Sequence, residues 1–575
     1  MLSFIELFIR QFLLDVTGKI RIWDTTQAEH PLKVELQPLS GTIKDIAWTA
    51  DSQRIAVGGE GREKFCHAFL WDTGASVGDL MGHDKTVNSV DFRPNRPFRL
   101  ATGSEDRSAN FYEGPPFKLK KMLKDAKNFM NCVRFAPDGS VLAAATQDGH
   151  IFLYDGPTGD LKCEAVSAKG QAHTGGIYAI AFSPDSKHIL SASGDKTAKV
   201  FDSSSGNLVA EFICGKTVDD MVVGCLWQAP NTIIVTSLAG YLYYLEMEGD
   251  KLIVKKTVKG HNKPISSLTS FISGGKLFYA TGSSDGKNGF WDATTGECWL
   301  AQESGHANNV MVQSLAVLGN NGNNVRIASV GTDDTLRFID FNPESHEVTF
   351  CNADTCKLES QPTSVSAFPA SSNFAVAVAC MNHLVIARQS NKLAVIDAKP
   401  FGGNFKAVSV HCNGSELAVG MSNNRVRVFT VEGIDGGAVT LTEKTLDSAT
   451  TTHTGPITSI AYSPDGRYLA ASDQQRRVRL YDVENGYKLL IRDEWCHSNA
   501  SVTDVAWSPD SKKIAASSVD TSITIYTVEP ASARISTSQI RGAHPMAPVT
   551  GLTWPTADGL VSVGQDACLR VWTPK

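Results

Sequence analysis

Three patterns of reactive side chains stand out in this 575-residue chain, and each would do a different chemistry. A histidine recurs in Gly-His or Ala-His pairs at His83, His173, His261, His306 and His544, with His453 and His497 in variant contexts. An aspartate follows in a later tight turn, at Asp106, Asp195, Asp285, Asp333, Asp520 and Asp566. With the many serines and threonines nearby, these are the side chains of a nucleophile, its general base and an orienting carboxylate. The stretch Cys214–Thr217, CGKT, looks like the end of a phosphate-cradling loop. His346, Cys351 and Cys356 are zinc-ligand types at short spacing.

Two of the three fail on their own spacing. The phosphate loop GxxxxGK[ST] needs glycine where Ala210 stands, and the segment before it reads as a strand end. The zinc trio lacks a fourth ligand, and no CxxC pair occurs among the twelve cysteines, which read as small buried apolar residues of a reducing compartment. Another glycine-rich stretch, GGEGREK at Gly58–Lys64, lacks the Lys-Ser/Thr ending, and Glu60 and Glu63 would repel an anion. No Gly-x-Ser-x-Gly elbow or His-Glu-x-x-His helix is present. Neither a metal nor a cofactor is expected.

The third pattern has a structural explanation, because it is periodic. Gly175–Asp202 and Gly455–Asp482 each contain an alternating apolar run, a Ser-Pro-Asp turn, a second apolar run, a polar turn, and a third run ending on an aromatic residue and Asp. This is the WD repeat, about 40 residues long, which encodes one four-stranded propeller blade. Copies close at Trp23-Asp24, Trp71-Asp72, Tyr112-Glu113, Tyr154-Asp155, Tyr243–Leu245, Trp291-Asp292, Phe338–Asp340 and Trp572. Weaker copies cover Ser364–Asp397 and Ala407–Glu432, and a good one covers Ser501–Val528. In such blades the His bridges to the Asp and to a hydroxyl, forming a buried network that satisfies its own members. The pairs His83–Asp106, His173–Asp195, His261–Asp285, His306–Asp333, His497–Asp520 and His544–Asp566 are therefore expected to be structural, and no enzyme is expected.

Counting from Gly41 gives twelve full units, preceded by a fragment, Asp15–Asp24. The expected fold is all-β: two tandem WD-repeat propellers of seven blades, the first incomplete. A propeller over 15–255 is followed by a complete one over 256–575. The apolar segment 1–14 matches nothing in the template, and this N-terminus is expected to be a truncated or alternatively spliced form. Glu6 and Arg10 interrupt the segment, and it is too short to cross ~30 Å of hydrocarbon, so neither signal peptide nor membrane span is expected. The net charge of −6 is spread along the chain without a basic stripe, which argues against nucleic acid. The expectation is a soluble, cytoplasmic monomer without membrane contact.

Where repeats set the background, departures from it point to function. The turn between the third and fourth strands of the repeat is short in Ser193–Thr197, whereas GEGREKFCHA lengthens it and adds Arg62, Glu63, Lys64 and Phe65. In the next repeat Glu105 stands beside the template Asp106. EGPPFKLKK then replaces the usual exit with a proline-stiffened turn carrying Phe117, Lys118 and Leu119. A charged finger beside an aromatic residue suits a partner interface. For Phe117 the alternative is packing on the neighbouring blade.

At these residues the chain resembles the actin-interacting protein 1 family. The resemblance lies in GKIRIWDTTQ (Gly18–Gln27), KDIAW (Lys44–Trp48), RIAVGGEGREKF (Arg54–Phe65), NSVDF with RPFRLATGSEDRSANFYEGPPFK, GCLW (Gly224–Trp227) and the closing SVGQDACLRVW. It runs in order from about Gly18 to the C-terminus, and several of these motifs are not generic WD-repeat features. It implies fourteen blades and a non-catalytic protein of the actin cytoskeleton that binds filaments decorated with ADF/cofilin and promotes their severing and disassembly, with barbed-end capping as a further implied activity. Carried over by position, the contact surface would include Glu63, Glu105 and Phe117–Leu119. The family is usually acidic at the position of Glu105 and often aromatic at that of Leu119. A first blade and most of the next precede RIWDTTQ in the family and are absent here. The alternative is a generic WD-repeat scaffold, such as a substrate-recognition subunit of a ubiquitin ligase.

Overall fold

In the computed structural model the chain divides into two compact units, Met1–Val258 and Lys259–Lys575. The structure describes residues 10–14 (backbone), 17–24, 31–78, 80–168, 170–228, 231–301, 305–306, 310–369, 374–434, 436, 438–447, 451–490, 495–528 and 536–574. Nearly all of the regular structure is antiparallel sheet, organised as consecutive blades of three or four strands. We number the blades along the chain.

The first unit holds blades 1 to 6, whose first described strands are Arg10–Leu14, Ile43–Trp48, Val87–Phe92, Met130–Phe135, Ile177–Phe182 and Val222–Gln228. Blade 1 pairs Arg10–Leu14 with Ile20–Asp24 and that strand with Leu32–Leu36. Residues 10–14, read from sequence as off-template, thus form a strand. Blade 1 packs through Ile20, Ile22 and Leu39 onto Ile43, Ile46 and Ile55 of blade 2.

The second unit holds blades 7 to 13, with inner strands Ile265–Ser273, Val312–Asn321, Pro362–Ala367, Phe405–Val410, Ile457–Tyr462, Val502–Trp507 and Val549–Thr556. These strands adjoin in sequence order, and the last lies against the first. Thr550 Oγ1 donates to the carbonyl of Ile265, and the hydroxyls of Ser270 and Thr553 meet at 2.9 Å, which closes a seven-bladed ring.

Packing on both sides explains the composition of the strands. The second strands, such as Val141–Thr146 (VLAAAT) and Ala375–Cys380 (AVAVAC), are buried at every residue. They are sandwiched between neighbouring sheets, so small and β-branched side chains replace the polar–apolar alternation of a half-exposed strand. Outer strands such as Lys118–Leu123 are exposed at every residue but the last. The Ser-Pro-Asp turns close on themselves. Ser183 Oγ donates to Asp185 at 2.6 Å and accepts from His188 N at 2.9 Å, and Ser463 and Ser508 repeat the pattern.

Hydrogen bonds also cross the seams between blades. Asn88 Nδ2 donates to the carbonyl of Met130, and Asn131 Nδ2 to that of Ile177, at 3.1 and 2.9 Å. In the second unit Thr503 Oγ1 donates to Val549 O at 2.6 Å, while Thr363 reaches Phe405 O at 3.4 Å. Replacing Thr550 by the isosteric valine strips Ile265 O of its donor at the ring closure. It is expected to cost about 1–2 kcal/mol. A lower denaturant midpoint for the second unit, reported by fluorescence of the buried Trp554, checks it.

Candidate functional site

The histidine networks decide which side chains are available for chemistry. In blade 7 Trp291 Nε1 donates to Thr281 Oγ1 at 2.8 Å, and that hydroxyl lies 2.8 Å from His261 Nε2. His261 Nδ1 lies 3.3 Å from Asp285. The indole, the hydroxyl, the imidazole and the carboxylate thus form one hydrogen-bonded chain, and the Thr281 hydroxyl also reaches the carbonyl of Gly289 at 3.2 Å. The same chain joins Trp572, Ser562, His544 and Asp566. His83 joins Thr102 and Asp106, His173 joins Ser191 and Asp195, and His306 joins Ser329 and Asp333.

This is the side-chain set of a hydrolase triad, but no substrate could reach it. The side chains of His173, His261, His306 and His544 are 0 % exposed and that of His83 is 1 % exposed.

His497 does not join Asp520. It is exposed and lies edge-on to Tyr526, while Asp520 accepts from Asn499 N and Ser522 Oγ. The histidine stands four residues before the inner strand in blades 3, 5 and 7, and Ser498 holds that place before Val502. His453 does form a network, with Asp473 at 3.2 Å and the hydroxyl of Tyr481 at 2.9 Å. Asp473 was missed because it ends a strand instead of sitting in the following turn.

The other two reactive patterns dissolve. Thr217 donates through both its backbone N and its hydroxyl to Asp220, so a carboxylate stands where CGKT would hold phosphate. His346 stacks on Trp299 with ring centroids 4.0 Å apart, Cys351 Sγ donates to Asp340, and Cys356 is buried in the core. Among the described residues no cluster of His, Cys, Asp and Glu could hold a metal, and no helix is long and apolar enough to cross a membrane.

The off-template residues divide between the two ends of the blades. In blade 2 the strands Arg54–Gly59 and Cys66–Leu70 are joined by residues 60–65, where blade 5 uses only residues 194–196. These turns, counted between third and fourth strands of the repeat, lie between second and third strands of the sheet, since sheet and repeat are offset by one strand. The finger is anchored by Glu60 N on Thr42 O, Arg62 N on Ser40 Oγ and Gly59 N on Phe65 O. Arg62, Glu63 and Lys64 are exposed. Phe65 is half-buried and packs toward the core of blade 2, so it secures the finger's base. Gly58 serves packing: an added Cβ would lie 2.8 Å from Val90.

Glu105 occupies the equivalent turn of blade 3, its N bonded to Thr86 O, and is half-exposed at the same end as the finger. Phe117 is the correction. It sits at the far end of the strand Ala109–Glu113, about 15 Å away along the sheet. It is fully buried against Phe92 with ring centroids 5.4 Å apart, and its N donates to Val77 O. It packs on the neighbouring blade and offers no surface to a partner. Lys118 is exposed at that far end, and Leu119, 37 % exposed, follows it, paired with Tyr112.

Beside Glu105 the structure adds a cleft of ≈ 520 Å³, whose lining includes Lys85, Arg107, Met122 and Lys124. The three cations make no ion pair among the described residues. Sequence reading missed them because they are ordinary template positions, and only the fold brings them to one rim. The candidate surface is thus the shared end of blades 2 and 3: the finger, Glu105 and this cleft.

A closed ring of four-stranded blades stapled by hydroxyl–His–Asp chains defines a WD-repeat propeller. The WD domain, G-beta repeat family matches residues 74–113, 117–155, 166–202, 253–292, 445–482 and 491–527. The chain is 41% identical to WD repeat-containing protein 1 of Gallus gallus over 97% of its length and 86% of that protein. It is 41% identical to WD repeat-containing protein 1 of Rattus norvegicus (97% and 87%) and 40% identical to actin-interacting protein 1 of Drosophila melanogaster (97% and 86%). The chain belongs to the WD repeat-containing protein 1, or actin-interacting protein 1, family.

Two predictions follow from the buried groups. Phe117→Ala should cost about 3–5 kcal/mol of stability by opening a cavity under blade 3, read as a lower unfolding midpoint. The second concerns pH. Burial pushes His173, His453 and His544 below the ordinary histidine range, so their contribution is lost as pH falls below ~6.5. Burial also pushes Asp91 and Asp504 up to about 6, so their contribution declines as pH rises from ~4 to that value, and the two trends oppose one another. Burial alone would raise Asp106 and Asp333, but hydrogen bonds from His83 and Ser108, and from His306 and Thr335, hold both down to about 2. Their stabilisation, on the order of 2 kcal/mol each, is full above pH ~4 and lost as pH falls through about 2. Denaturant midpoints should therefore drop more steeply below pH 4 than between pH 6.5 and 4. A midpoint unchanged from pH 4 to 3 would contradict this.

Proposed function

We propose that this chain binds actin filaments decorated with ADF/cofilin and promotes their severing and disassembly, capping the barbed ends that result. It acts as a cytoplasmic monomer on the actin cytoskeleton, without catalysis. Membership of the family, one of whose relatives is named actin-interacting protein 1, supports the actin partner. The observation that carries the reading is the finger of blade 2, which lengthens a turn the blade does not need and exposes Arg62, Glu63 and Lys64 beside Glu105.

Glu63 and Glu105 make no side-chain ion pair among the described residues, so their charge is available to basic groups of a partner. Such charges steer association and set register. The apolar contact comes from the Met122 side of the cleft beside them. A rigid surface that fits the subunit geometry of the cofilin-decorated filament better than that of the bare one shifts the population toward the former and so toward breakage.

Cosedimentation and filament-length assays test this. The unaltered protein should bind cofilin-decorated filaments in preference to bare ones and shorten them. Glu63→Ala with Glu105→Ala should weaken binding about tenfold, equivalent to ~1.4 kcal/mol, while Lys118→Ala at the opposite end should leave it within about twofold. Equal binding to bare filaments, or no gain in disassembly with cofilin, would defeat the reading.

A further inference from the structure

Each inner strand of the second unit carries one bulge near its start, seen as a register shift between Ile265 and Ser267, Val312 and Ser314, Pro362 and Ser364, Phe405 and Ala407, Ile457 and Ser459, Val502 and Asp504, and Val549 and Gly551. The looped-out residue is a serine or threonine in five of these seven blades. Ser266, Thr363, Thr503 and Thr550 donate to a carbonyl of the next blade. The two exceptions are Gln313 of blade 8 and Lys406 of blade 10, which flank Thr363 of blade 9.

These residues line a cavity of ≈ 200 Å³ on the axis of the ring. Its hydrogen-bonding capacity is lopsided. On the side of blades 11 to 13 the donors are committed: Ser459 Oγ donates to Asp504, and Thr503 and Thr550 donate across their seams. Asp504, the only carboxylate in the lining, accepts from Ser459, Val505 N and Leu552 N.

On the side of blades 7 to 10 Ser266 and Thr363 donate to carbonyls, but the remaining polar side chains are uncommitted. Ser314 and Ser364 accept from Val365 N and Val408 N, which leaves their hydroxyl hydrogens unassigned. Ser267, 7 % exposed, has a buried hydroxyl with no partner. The Gln313 amide and the Lys406 ammonium have no partner among the described residues. One cation and several free donors thus face a small, partly open axial space whose single acid is already satisfied.

We infer that the axial cavity of the second unit binds a small oxyanion, with Lys406 supplying the charge and Gln313 and the blade 7 to 9 serines supplying hydrogen bonds. The volume is below the ~300 Å³ at which organic-ligand pockets begin, and suits one tetrahedral anion with its water. Lys44 is a natural control. It holds the equivalent bulge position in blade 2, but its ammonium is paired with Glu60 at 3.1 Å.

Calorimetric titration of the full chain with inorganic phosphate against chloride at matched ionic strength tests the inference. Saturable one-to-one binding is expected, weakened about tenfold or more by Lys406→Met and less by Gln313→Leu, and unchanged by Lys44→Met. Neutral myo-inositol should not compete. The inference fails if the unaltered chain gives no saturable binding, if Lys406→Met binds phosphate as well as the parent, or if myo-inositol binds equally.

Discussion

A propeller depends on hydrogen bonds that cross from one blade to the next, because the inner strand of each blade has an edge with no strand beside it: Val365 N and Val408 N donate to Ser314 and Ser364 of the preceding blade. Stacked sheets attract through apolar burial, which is strong but does not set register. Here register comes from a bulge. One residue leaves the ladder near the start of the inner strand, and its side chain donates to a carbonyl of the following blade, as Asn88, Asn131, Thr503 and Thr550 do. A short polar side chain is needed for this, and the same position necessarily lines the axis. The seam hydrogen bond and the chemistry of the channel are therefore one constraint. A residue that departs from the short-donor pattern, such as Lys406, gives up its seam bond and leaves its charge in the channel.

The blade count and most of the histidine networks were legible in the sequence because each is written many times, and repetition separates structural residues from functional ones. The two departures came from offsets of one and two residues. In blade 12 His497 lies one residue short of the template position, Ser498 takes the buried place, and Trp495 stacks on Tyr526 with ring centroids 4.3 Å apart. In blade 11 the carboxylate moved to Asp473, at the strand end. A four-residue spacing before a strand whose start is not marked is too weak a signal to distinguish neighbours.

The candidate surface was half legible for a different reason. The finger at residues 60–65 is an insertion, and insertions show in one dimension. Phe117 looked equivalent because it too breaks the repeat, but its end of the blade is fixed by strand direction. A turn after a blade's third strand lies opposite a turn after its second. Its aromatic ring serves the seam that the tight Gly114–Phe117 turn creates. Lys85, Arg107 and Lys124 illustrate the converse: they match the template individually, and only their convergence on one rim is informative.

Rigidity links these observations to function. The interior strands are buried on both faces and pinned by His–Asp chains, so a substitution there costs packing or a satisfied polar group and is poorly suited to recognition. Turns at the blade ends are free of that cost, and closing a loop longer by a few residues takes little additional entropy. The two proposed sites lie where the ladder has been left: outward at the finger of blade 2, where Glu63 stands on an anchored base, and inward at the bulges of blades 8 and 10. In both places the scaffold holds a charge without pairing it. A rigid frame spares the backbone's share of the ordering cost when a partner arrives, so that binding energy goes to the side chain's own rotamer freedom and to the contact.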